Sequence, residues 1–434
     1  MKCLDYMYSQ LPMYHRIGPA AYKTDLTNTV KLCEHFNNPQ NKLKFVHIAG
    51  TNGKTSSSHF VASILHCAGY KVGLYTSPHL VDFRERILVD GKMIDKEFVY
   101  NFVENNKDVF AEIKPSFFEM TVALAFLYFV EQNVDYAVVE VGLGGRLDST
   151  NIITPLVSTI TNIGLDHCQF LGNTLPEIAH EKAGIIKKHV PVIIGETQDE
   201  TTNVFLAKAK EESAPIIFAD QNYHVDNVVQ TFDSLKFNVT SSITGEKYEV
   251  DSALKGHYEI KNIVTVVATI EELQKQIDIP KQAVIDGLHT SLLRGRWDII
   301  GRNPLIVCDT GHNAEGIIET LTMINYVEYN KLHIVFGVVE DKKLDVTLQI
   351  LPKNASYYLC RPNIPRGLDV KILQKKMNEA GIDGNVYASC DEALDTAIAN
   401  ADANDMIYVG GSSFVVAEIL SNNILKSKKL QTKQ

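Results

Sequence analysis

The sequence predicts an α/β protein with two domains, each organised around a mostly parallel sheet, and three observations lead to this prediction. Short apolar runs rich in β-branched residues alternate with segments of helical periodicity. A glycine-rich turn joins one of these runs to a helix near residue 50. The 434 residues are enough for two or three domains. Alternating strands and helices are typical of a parallel sheet covered by helices.

The first domain, residues 1–296, is expected to hold five strands of one sheet. The predicted strands are Phe45–Ile48, Tyr136–Val141, Leu156–Thr161, Val190–Ile194 and Pro215–Phe218. Apolar residues at helical spacing predict helices over Thr55–Gly69, Met120–Val130, Tyr258–Gln274 and Lys281–Leu288. We expect the polar, β-rich stretch 223–250 to form hairpins on one edge of the sheet.

The domain boundary is predicted within LLRGRWDIIGRNP, residues 292–304. Two glycines, a proline and three arginines break the periodicity there. Residues 297–434 are therefore expected to form a smaller, Rossmann-like α/β domain. Its predicted strands are Leu305–Cys308, His333–Phe336, Tyr357–Cys360 and Met406–Val409.

Composition argues against several classes of function. The 42 Lys and Arg residues against 52 Asp and Glu give a net charge of −10, which disfavours nonspecific binding to nucleic acid or membranes. The seven cysteines form no C-x-x-C pair, as expected for free thiols in a reducing cytoplasm. The N-terminus lacks an apolar signal core, and the longest apolar run, Met120–Val130, is shorter than the roughly 20 residues of a membrane span.

The segment HIAGTNGKTS, residues 47–56, predicts a phosphate cradle between a strand and a helix. Backbone N–H groups of such a turn and the positive helix N-terminus face an anion, and Lys54 adds a charge for the β and γ phosphates. Thr55 or Ser56 would offer a hydroxyl to Mg²⁺. The first domain is therefore P-loop-type, although position 48 is Ile and the strict Walker pattern is not met. The alternative is a tight glycine turn with a chance lysine.

Candidate metal ligands follow two other predicted strands. Glu140 and Asp148 belong to VEVGLGGRLDSTN, and Asp166 and His167 belong to TNIGLDHCQFLG. In open parallel sheets, ligands bind beyond the carboxyl ends of the strands. Glu140 near a phosphate cradle suits Mg²⁺, whereas histidine suits transition metals better. The alternatives are a salt-bridged strand-end glutamate and a structural histidine.

Two polar segments of the first domain leave their interpretation open. LYTSPHLVDFRERI, residues 74–87, carries Ser77 and is either a ligand loop or a proline-bearing loop with a solvated charged helix. HEKAGIIK, residues 180–187, places Glu181 and Lys182 in one helix. The simplest interpretation of Glu181 and Lys182 is that they form an exposed ion pair.

The second domain has two candidate ligand loops. VCDTGHNAEG, residues 307–316, sets Asp309, His312 and Asn313 in a polar turn between a strand and a helix. GGSSFVVAE, residues 410–418, is another turn of this kind. It would hold a carboxylate at its helix N-terminus or act only as a tight turn.

Together these segments resemble one family. The series HIAGTNGKTS, YTSPHL, FFEM, VEVGLGGRLDSTN, NIGLDH, EKAGI, GRWD and DTGHN resembles folylpolyglutamate synthase/dihydrofolate synthase, ATP-dependent ligases related to the Mur ligases. The resemblance implies that ATP phosphorylates a pteroate or folate carboxylate and that the amine of glutamate attacks the acyl phosphate. It implies ATP and two Mg²⁺ ions as cofactors and small molecules as substrates, and we expect a monomer. Dihydropteroate, folates or both fit the motifs.

The resemblance also implies residue roles. The implied catalytic residues are Lys54, His312 and Lys182, the last of which would be carbamylated. The implied metal ligands are Ser77, Glu140 and His167. The implied ATP contacts are Gly50, Thr51, Asn52, Gly53, Lys54, Thr55, Ser56, Asn262, Arg296 and Asp309. The implied pterin-side contacts are Arg16, Ile17, Gly18, Phe117, Phe118, Glu119 and Leu147, and Ser412 would border the glutamate site.

The chain departs from the family pattern in two places. Thr55 stands where the family has glycine, and the family's H-Q-x-x-N reads His257-Tyr258-Glu259-Ile260-Lys261-Asn262. A Mur ligase for UDP-linked peptides would carry a domain before the cradle, but only 49 residues precede Gly50. A P-loop switch or motor would not need the motifs after Ile300. A non-catalytic relative is disfavoured by the intact residues Lys54, Glu140, His167 and Lys182.

Overall fold

Two parallel-dominated sheets and one small antiparallel sheet organise the protein. The computed structural model describes residues 25–340 and 344–431, without the side chains of 345 and 423–431. A mostly parallel first sheet is followed by a smaller second one, so the predicted α/β class is confirmed. The division at residue 296 stays a prediction.

The first sheet contains all five strands predicted for it. Its strands are β1 (Phe45–Ala49), β2 (Val72–Tyr75), β3 (Ile87–Val89), β4 (Lys92–Met93), β5 (Tyr136–Glu140), β6 (Val157–Ile160), β7 (Val192–Ile194) and β8 (Ile216–Phe218). They lie in the order β4-β3-β2-β5-β1-β6-β7-β8. Only the edge strands β3 and β4 run antiparallel to their neighbours. β1 and β5 are buried throughout, as expected for parallel strands covered on both faces.

Helices cover both faces of this sheet. They are α1 (Thr27–His35), α2 (Lys54–Cys67), α3 (Lys96–Asn105), α4 (Lys107–Ile113), α5 (Phe117–Glu131), α6 (Cys168–Leu171), α7 (Leu175–Ala183), α8 (Asp199–Glu211), α9 (Ala219–Asn222), α10 (Glu259–Gln274) and α11 (Lys281–Thr290). Successive strand residues face opposite sides. Val46 therefore joins the core with α2, α10 and α11, and Phe45 joins the core with α5.

The stretch 223–250 folds differently from the prediction. Its strands β9 (Tyr223–Gln230), β10 (Leu235–Ser241) and β11 (Lys247–Asp251) form a separate antiparallel sheet and do not extend an edge of the large one. Leu235, Phe237 and Val239 alternate toward the core that also contains α10 and α11. Burial of this apolar face against helices fixes the hairpins there.

The second sheet begins inside the segment predicted to be a break. Its strands are β12 (Asp298–Arg302), β13 (Leu305–Cys308), β14 (Leu332–Phe336), β15 (Ser356–Leu359), β16 (Gly384–Val386) and β17 (Met406–Gly410), in the order β12-β13-β17-β14-β15-β16. The helices are α12 (Ala314–Ile324), α13 (Leu344–Ile350), α14 (Val370–Glu379), α15 (Cys390–Asn400) and α16 (Ser413–Gln431). β12 pairs antiparallel with β13, so Asn303-Pro304 is the turn of a hairpin.

This topology brings several strand ends together. The loops after β1, β5 and β6 lie at the carboxyl edge of the first sheet, and those after β13 and β17 at the corresponding edge of the second. Ligands of open α/β sheets bind at such edges. Among the helices of the described residues, none combines the length and apolarity that crossing a membrane requires.

Candidate active site

A cavity of about 460 Å³ lies where loops of the two sheets meet. Its walls contain every residue predicted for the nucleotide, the metal and the glutamate side. They are Gly50, Thr51, Asn52, Gly53, Lys54, Thr55, Ser56, Ser77, Glu140, His167, Lys182, Asn262, Arg296, Asp309, His312 and Ser412. Residues more than 350 positions apart in the chain therefore converge on one space.

The cradle between β1 and α2 depends on glycine at two positions. Gly50 and Gly53 have φ angles of 148° and 80°, which favour glycine. A Cβ at Gly53 would lie 2.1 Å from Oδ1 of Asn262, and one at Gly50 would lie 1.8 Å from Oγ1 of Thr161. The backbone of the turn thus approaches its neighbours closely and leaves the start of α2 facing the cavity.

Two lysines meet at the cradle. Nζ of Lys54 donates to the carbonyl oxygens of Gly50 and Thr51 at 2.9 and 3.0 Å, and Nζ of Lys182 donates to the same Gly50 oxygen at 2.7 Å. Burial and the neighbouring positive charge lower the pKa of Lys182 well below its usual value, and burial lowers that of Lys54. An anion bound here would offset the two buried positive charges.

Glu140 sits opposite these lysines with its carboxylate buried. It accepts hydrogen bonds from Oγ1 of Thr55 at 2.9 Å and from the backbone N–H of Ser77 at 3.2 Å. Desolvation raises the pKa of Glu140 to about 7, against the effect of Lys54. The hydroxyl of Ser56 points elsewhere, to Glu259 at 2.8 Å. Of the two candidate hydroxyls in the cradle, that of Thr55 is therefore the one beside Glu140.

Asp166 lies between two histidines from different sheets. Its Oδ2 is 3.8 Å from Nε2 of His167 and 3.8 Å from Nε2 of His312. His167 has a φ of 51°, a left-handed backbone that few non-glycine residues adopt. Among the described residues, no cluster of three or more His, Cys, Asp and Glu side chains is arranged as a metal centre.

Hydrogen bonds join the two halves of the cavity. Asn52 of the cradle donates to Glu315 at 2.8 Å and accepts from Asn313 at 3.0 Å. Tyr258 donates to Oδ2 of Asp309 at 3.0 Å. The DTGHN loop and the start of α12 are thereby held against the cradle.

The predicted pterin-side residues in the described part of the chain do not line this cavity. They are Phe117, Phe118, Glu119 and Leu147. Glu119 and Ser116 form the capping box at the start of α5. The ring of Phe118 lies directly behind Gly142, where a Cβ would be 2.3 Å from Cζ. The positions 16–18, Arg-Ile-Gly, fall outside the described residues.

The exposed ion pair considered for Glu181 and Lys182 is wrong, and two residues that contact the site fall outside the predicted set. Glu181 pairs with Arg146 at 2.8 Å and not with Lys182, because Lys182 is buried at the cradle. Tyr258 and Glu259 were not predicted as site residues, although both contact predicted ones. Their only signal was the departure from H-Q-x-x-N in that segment.

Comparison with known proteins agrees with this architecture. Residues 48–270 match the Mur ligase middle domain, and residues 295–413 match the Mur ligase glutamate ligase domain. E. coli FolC, solved in complex with DHPP and ADP, aligns with a TM-score of 0.84 at 26% identity, covering 99% of this chain and 98% of that chain. The two-sheet arrangement is therefore shared along nearly the whole length.

Two relatives differ in length. The "Probable bifunctional folylpolyglutamate synthase/dihydropteroate synthase" of Haloferax volcanii is 34% identical over 403 residues, covering 89% of this chain and 47% of the relative. The dihydrofolate synthase/folylpolyglutamate synthase of Bacillus subtilis is 32% identical over 413 residues, covering 92% of this chain and 94% of the relative. The chain thus spans about half the length of the first relative and nearly all of the second.

Proposed function

This chain belongs to the folylpolyglutamate synthase/dihydrofolate synthase family of Mur ligases, and we propose that it is an ATP-dependent ligase that adds L-glutamate to dihydropteroate, folates or both. One observation carries the proposal. A phosphate cradle with a lysine forms one wall of the cavity, and the DTGHN and GGSS loops of a second sheet form the facing wall. A nucleotidase would need only the first wall.

The proposed reaction has two steps. First, the γ-phosphoryl group leaves ATP and bonds to a carboxylate oxygen of the pteroate or folate, which gives ADP and an acyl phosphate. Then the amine nitrogen of glutamate bonds to the acyl carbon, the carbon–oxygen bond to phosphate breaks, and one proton leaves the nitrogen. The products are an amide and inorganic phosphate. A cavity closed by two sheets keeps water away from the acyl phosphate between the steps.

Lys54 is the proposed electrostatic catalyst of the first step. Its ammonium group is bound to carbonyl oxygens of the cradle, where the β and γ phosphates would lie. A fixed positive charge there stabilises the charge that develops on the transferring phosphoryl group. Residues 50–56, Asn262, Arg296 and Asp309 are the proposed surroundings of the nucleotide, and all line the cavity.

The donor set on the first wall fits Mg²⁺. Glu140 is a buried carboxylate with a raised pKa and adjoining hydroxyl and backbone N–H groups, so a divalent cation would favour its ionised form. We propose Ser77, Glu140 and His167 as its ligands. When bound, Mg²⁺ neutralises charge on the phosphate oxygens.

Lys182 is proposed to be carbamylated and to face a second Mg²⁺. Burial lowers the pKa of Lys182 well below its usual value, which favours the neutral amine that reacts with CO₂. The resulting carbamate is an anion, and it would turn the repulsion between Lys182 and Lys54 into attraction.

The second wall is proposed to serve glutamate. Nδ1 of His312 lies 3.0 Å from the carbonyl oxygen of Thr310, and the tautomer that donates there keeps a lone pair on Nε2. His312 is thus suited to take the proton that leaves the amine. Ser412 lies at the start of α16 and borders the same space.

The remaining proposals concern the substrate entrance and the assembly. Phe118, beside the glycine loop after β5, supports the proposed pterin side together with Phe117, Glu119, Leu147 and residues 16–18. We further propose that residues 1–296 and 297–434 are the two domains and that the protein works as a monomer in the cytoplasm. All six cysteines in the described part of the chain are free thiols, in keeping with a reducing compartment.

The test is incorporation of radiolabelled glutamate with ATP and Mg²⁺, run separately with dihydropteroate and with tetrahydrofolate. We expect a glutamylated product with at least one of the two acceptors and none when the acceptor is left out. A purified, folded protein that labels neither acceptor would contradict the proposed function. Product with one acceptor alone would identify the enzyme as monofunctional.

A further inference from the structure

Tyr258 and Glu259, at the start of α10, contact opposite sides of the cavity. The hydroxyl of Tyr258 donates to Oδ2 of Asp309 at 3.0 Å, in the loop after β13. The carboxylate of Glu259 accepts from Oγ of Ser56 at 2.8 Å, in the first turn of α2. Two consecutive residues therefore connect the DTGHN loop with the cradle, and we call them the 258–259 link.

At the cradle, the link fixes two groups at once. Besides Ser56, Glu259 accepts from Nδ2 of Asn262 at 2.7 Å. Oδ1 of Asn262 in turn occupies the space beside Gly53 that a Cβ would fill. Glu259 and Ser56 are 0% and 1% exposed, so water does not compete for these hydrogen bonds. A shift of Glu259 would therefore move both the first turn of α2 and the amide against Gly53.

At the other end, the link holds a carboxylate that organises its own loop. Asp309 also accepts from the backbone N–H of Trp297 at 2.8 Å and from that of Gly311 at 2.7 Å. These two donors lie next to Arg296 and His312, which both line the cavity. The position of Asp309 thus sets where Arg296 and His312 stand relative to the cradle.

We propose that Tyr258 and Glu259 are positioning residues that transmit the position of the cradle to Arg296 and His312. The inference rests on the proposed function, because it takes the cavity as a nucleotide site completed by both sheets. In a hydrogen-bonded chain, loss of the bond at either end uncouples the whole link. Loss of the second bond should then cause little further loss of nucleotide affinity.

The test is a double-mutant cycle in which affinity for ADP with Mg²⁺ is measured by calorimetry. Tyr258→Phe and Glu259→Gln should each weaken ADP binding about tenfold, as expected for one hydrogen bond to a charged group. The double variant should stay within about threefold of the weaker single variant. If Glu259→Gln does not fold, Glu259→Asp, which withdraws the same carboxylate from Ser56, takes its place.

A matched control comes from the same helix. Tyr223 donates to Glu271 of α10 at 2.9 Å, far from the cavity. Tyr223→Phe removes the same kind of bond and should lower thermal stability without changing ADP affinity.

The outcomes separate the two claims. A parent protein that binds neither ADP nor a non-hydrolysable ATP analogue would overturn the proposed function and the link with it. If the parent binds ADP and the single variants bind it equally well, only the proposal of the 258–259 link is wrong. The same holds if the affinity losses of the two single variants multiply in the double variant.

Discussion

Lys54 and Lys182 share one hydrogen-bond acceptor, the carbonyl oxygen of Gly50, at 2.9 and 2.7 Å. The first lysine follows β1 and the second lies in the last turn of α7, so the fold brings to one atom two like charges that are 128 positions apart in the chain. Like charges in a desolvated site disfavour ionisation of at least one partner. The charge of Lys54 at the cradle therefore depends on whether Lys182 beside it is an ammonium, an amine or a carbamate. The first two predictions follow from this pair.

Lys182 should carry a carbamate in the active enzyme. Its lowered pKa favours the neutral amine, whose nitrogen would bond to CO₂ with release of one proton. With ¹³C-labelled bicarbonate, we expect a carbamate signal in the NMR spectrum of the parent and none in Lys182→Ala. That variant should be inactive, and acetate should restore part of its activity. A parent spectrum that lacks the signal at saturating bicarbonate would refute the modification.

Lys54→Ala should lower the ligation rate at least about a hundredfold and leave the fold intact. The lost charge acts on the transition state, where such groups contribute most. The measurement is glutamate incorporation, with circular dichroism as a check on folding. Lys92→Ala, on the exposed edge strand β4, is the matched control and should retain full activity. Near-normal turnover by folded Lys54→Ala protein would rule out the cradle as the catalytic phosphate site.

His167 should matter chiefly for the metal. We expect His167→Asn to raise the Mg²⁺ concentration for half-maximal rate about tenfold, since it removes an imidazole ligand. Asparagine tolerates the left-handed backbone at this position, so the variant separates metal binding from strain. The measurement is a Mg²⁺ titration of the initial rate. Superimposable titrations for variant and parent would show that His167 is not a ligand.

The elements that could be predicted from the sequence are those whose pattern lies within one short segment. β1, β5 and β6 are short apolar runs, and the G-T-N-G-K-T turn lies between β1 and α2 as its spacing predicts. What sequence reasoning missed depends on distant partners. Ser56 and Glu259 are 203 positions apart, and Tyr258 and Asp309 are 51 apart. No periodicity along a single segment records such contacts.

Strand β12 shows a different limit of sequence reasoning. No strand is predicted there because its glycine and the following Asn303-Pro304 break the periodicity, yet hydrogen bonds to β13 make it an edge strand. Pairing with a neighbour compensated for weak local propensity, as is common for sheets. The exposed ion pair considered for Glu181 and Lys182 is wrong for a related reason, because an exposed and a buried lysine look alike in a helical segment. The prediction of Lys182 as a site residue came from the family resemblance.

Glu259 should give the protein a measurable pH dependence of stability. Burial raises its pKa from 4.5 to about 7 in the native state. The native state therefore binds this proton more tightly than the unfolded state. The stabilisation is fully present below pH 4.5 and is lost as the pH rises through 7, by about 3 kcal/mol in total.

Urea denaturation of the parent and of Glu259→Gln measures this effect. The difference between their unfolding free energies should shift by about 3 kcal/mol in favour of the variant from pH 4.5 to pH 8. Glu249→Gln, at an exposed position of β11, should show no such shift. A constant difference between parent and Glu259→Gln across this range would show that Glu259 does not titrate there.

ATP should be consumed only to join glutamate to a pteroate or folate, and the decisive measurement is the ratio of ADP formed to glutamate joined. One acyl phosphate is used for each amide bond, so we expect one ADP per bond. We also expect only slow ATP hydrolysis when either the acceptor or glutamate is absent. Rapid ATP hydrolysis that is indifferent to both substrates, with no glutamylated product in the mass spectrum, would contradict the proposed ligase and indicate a P-loop switch.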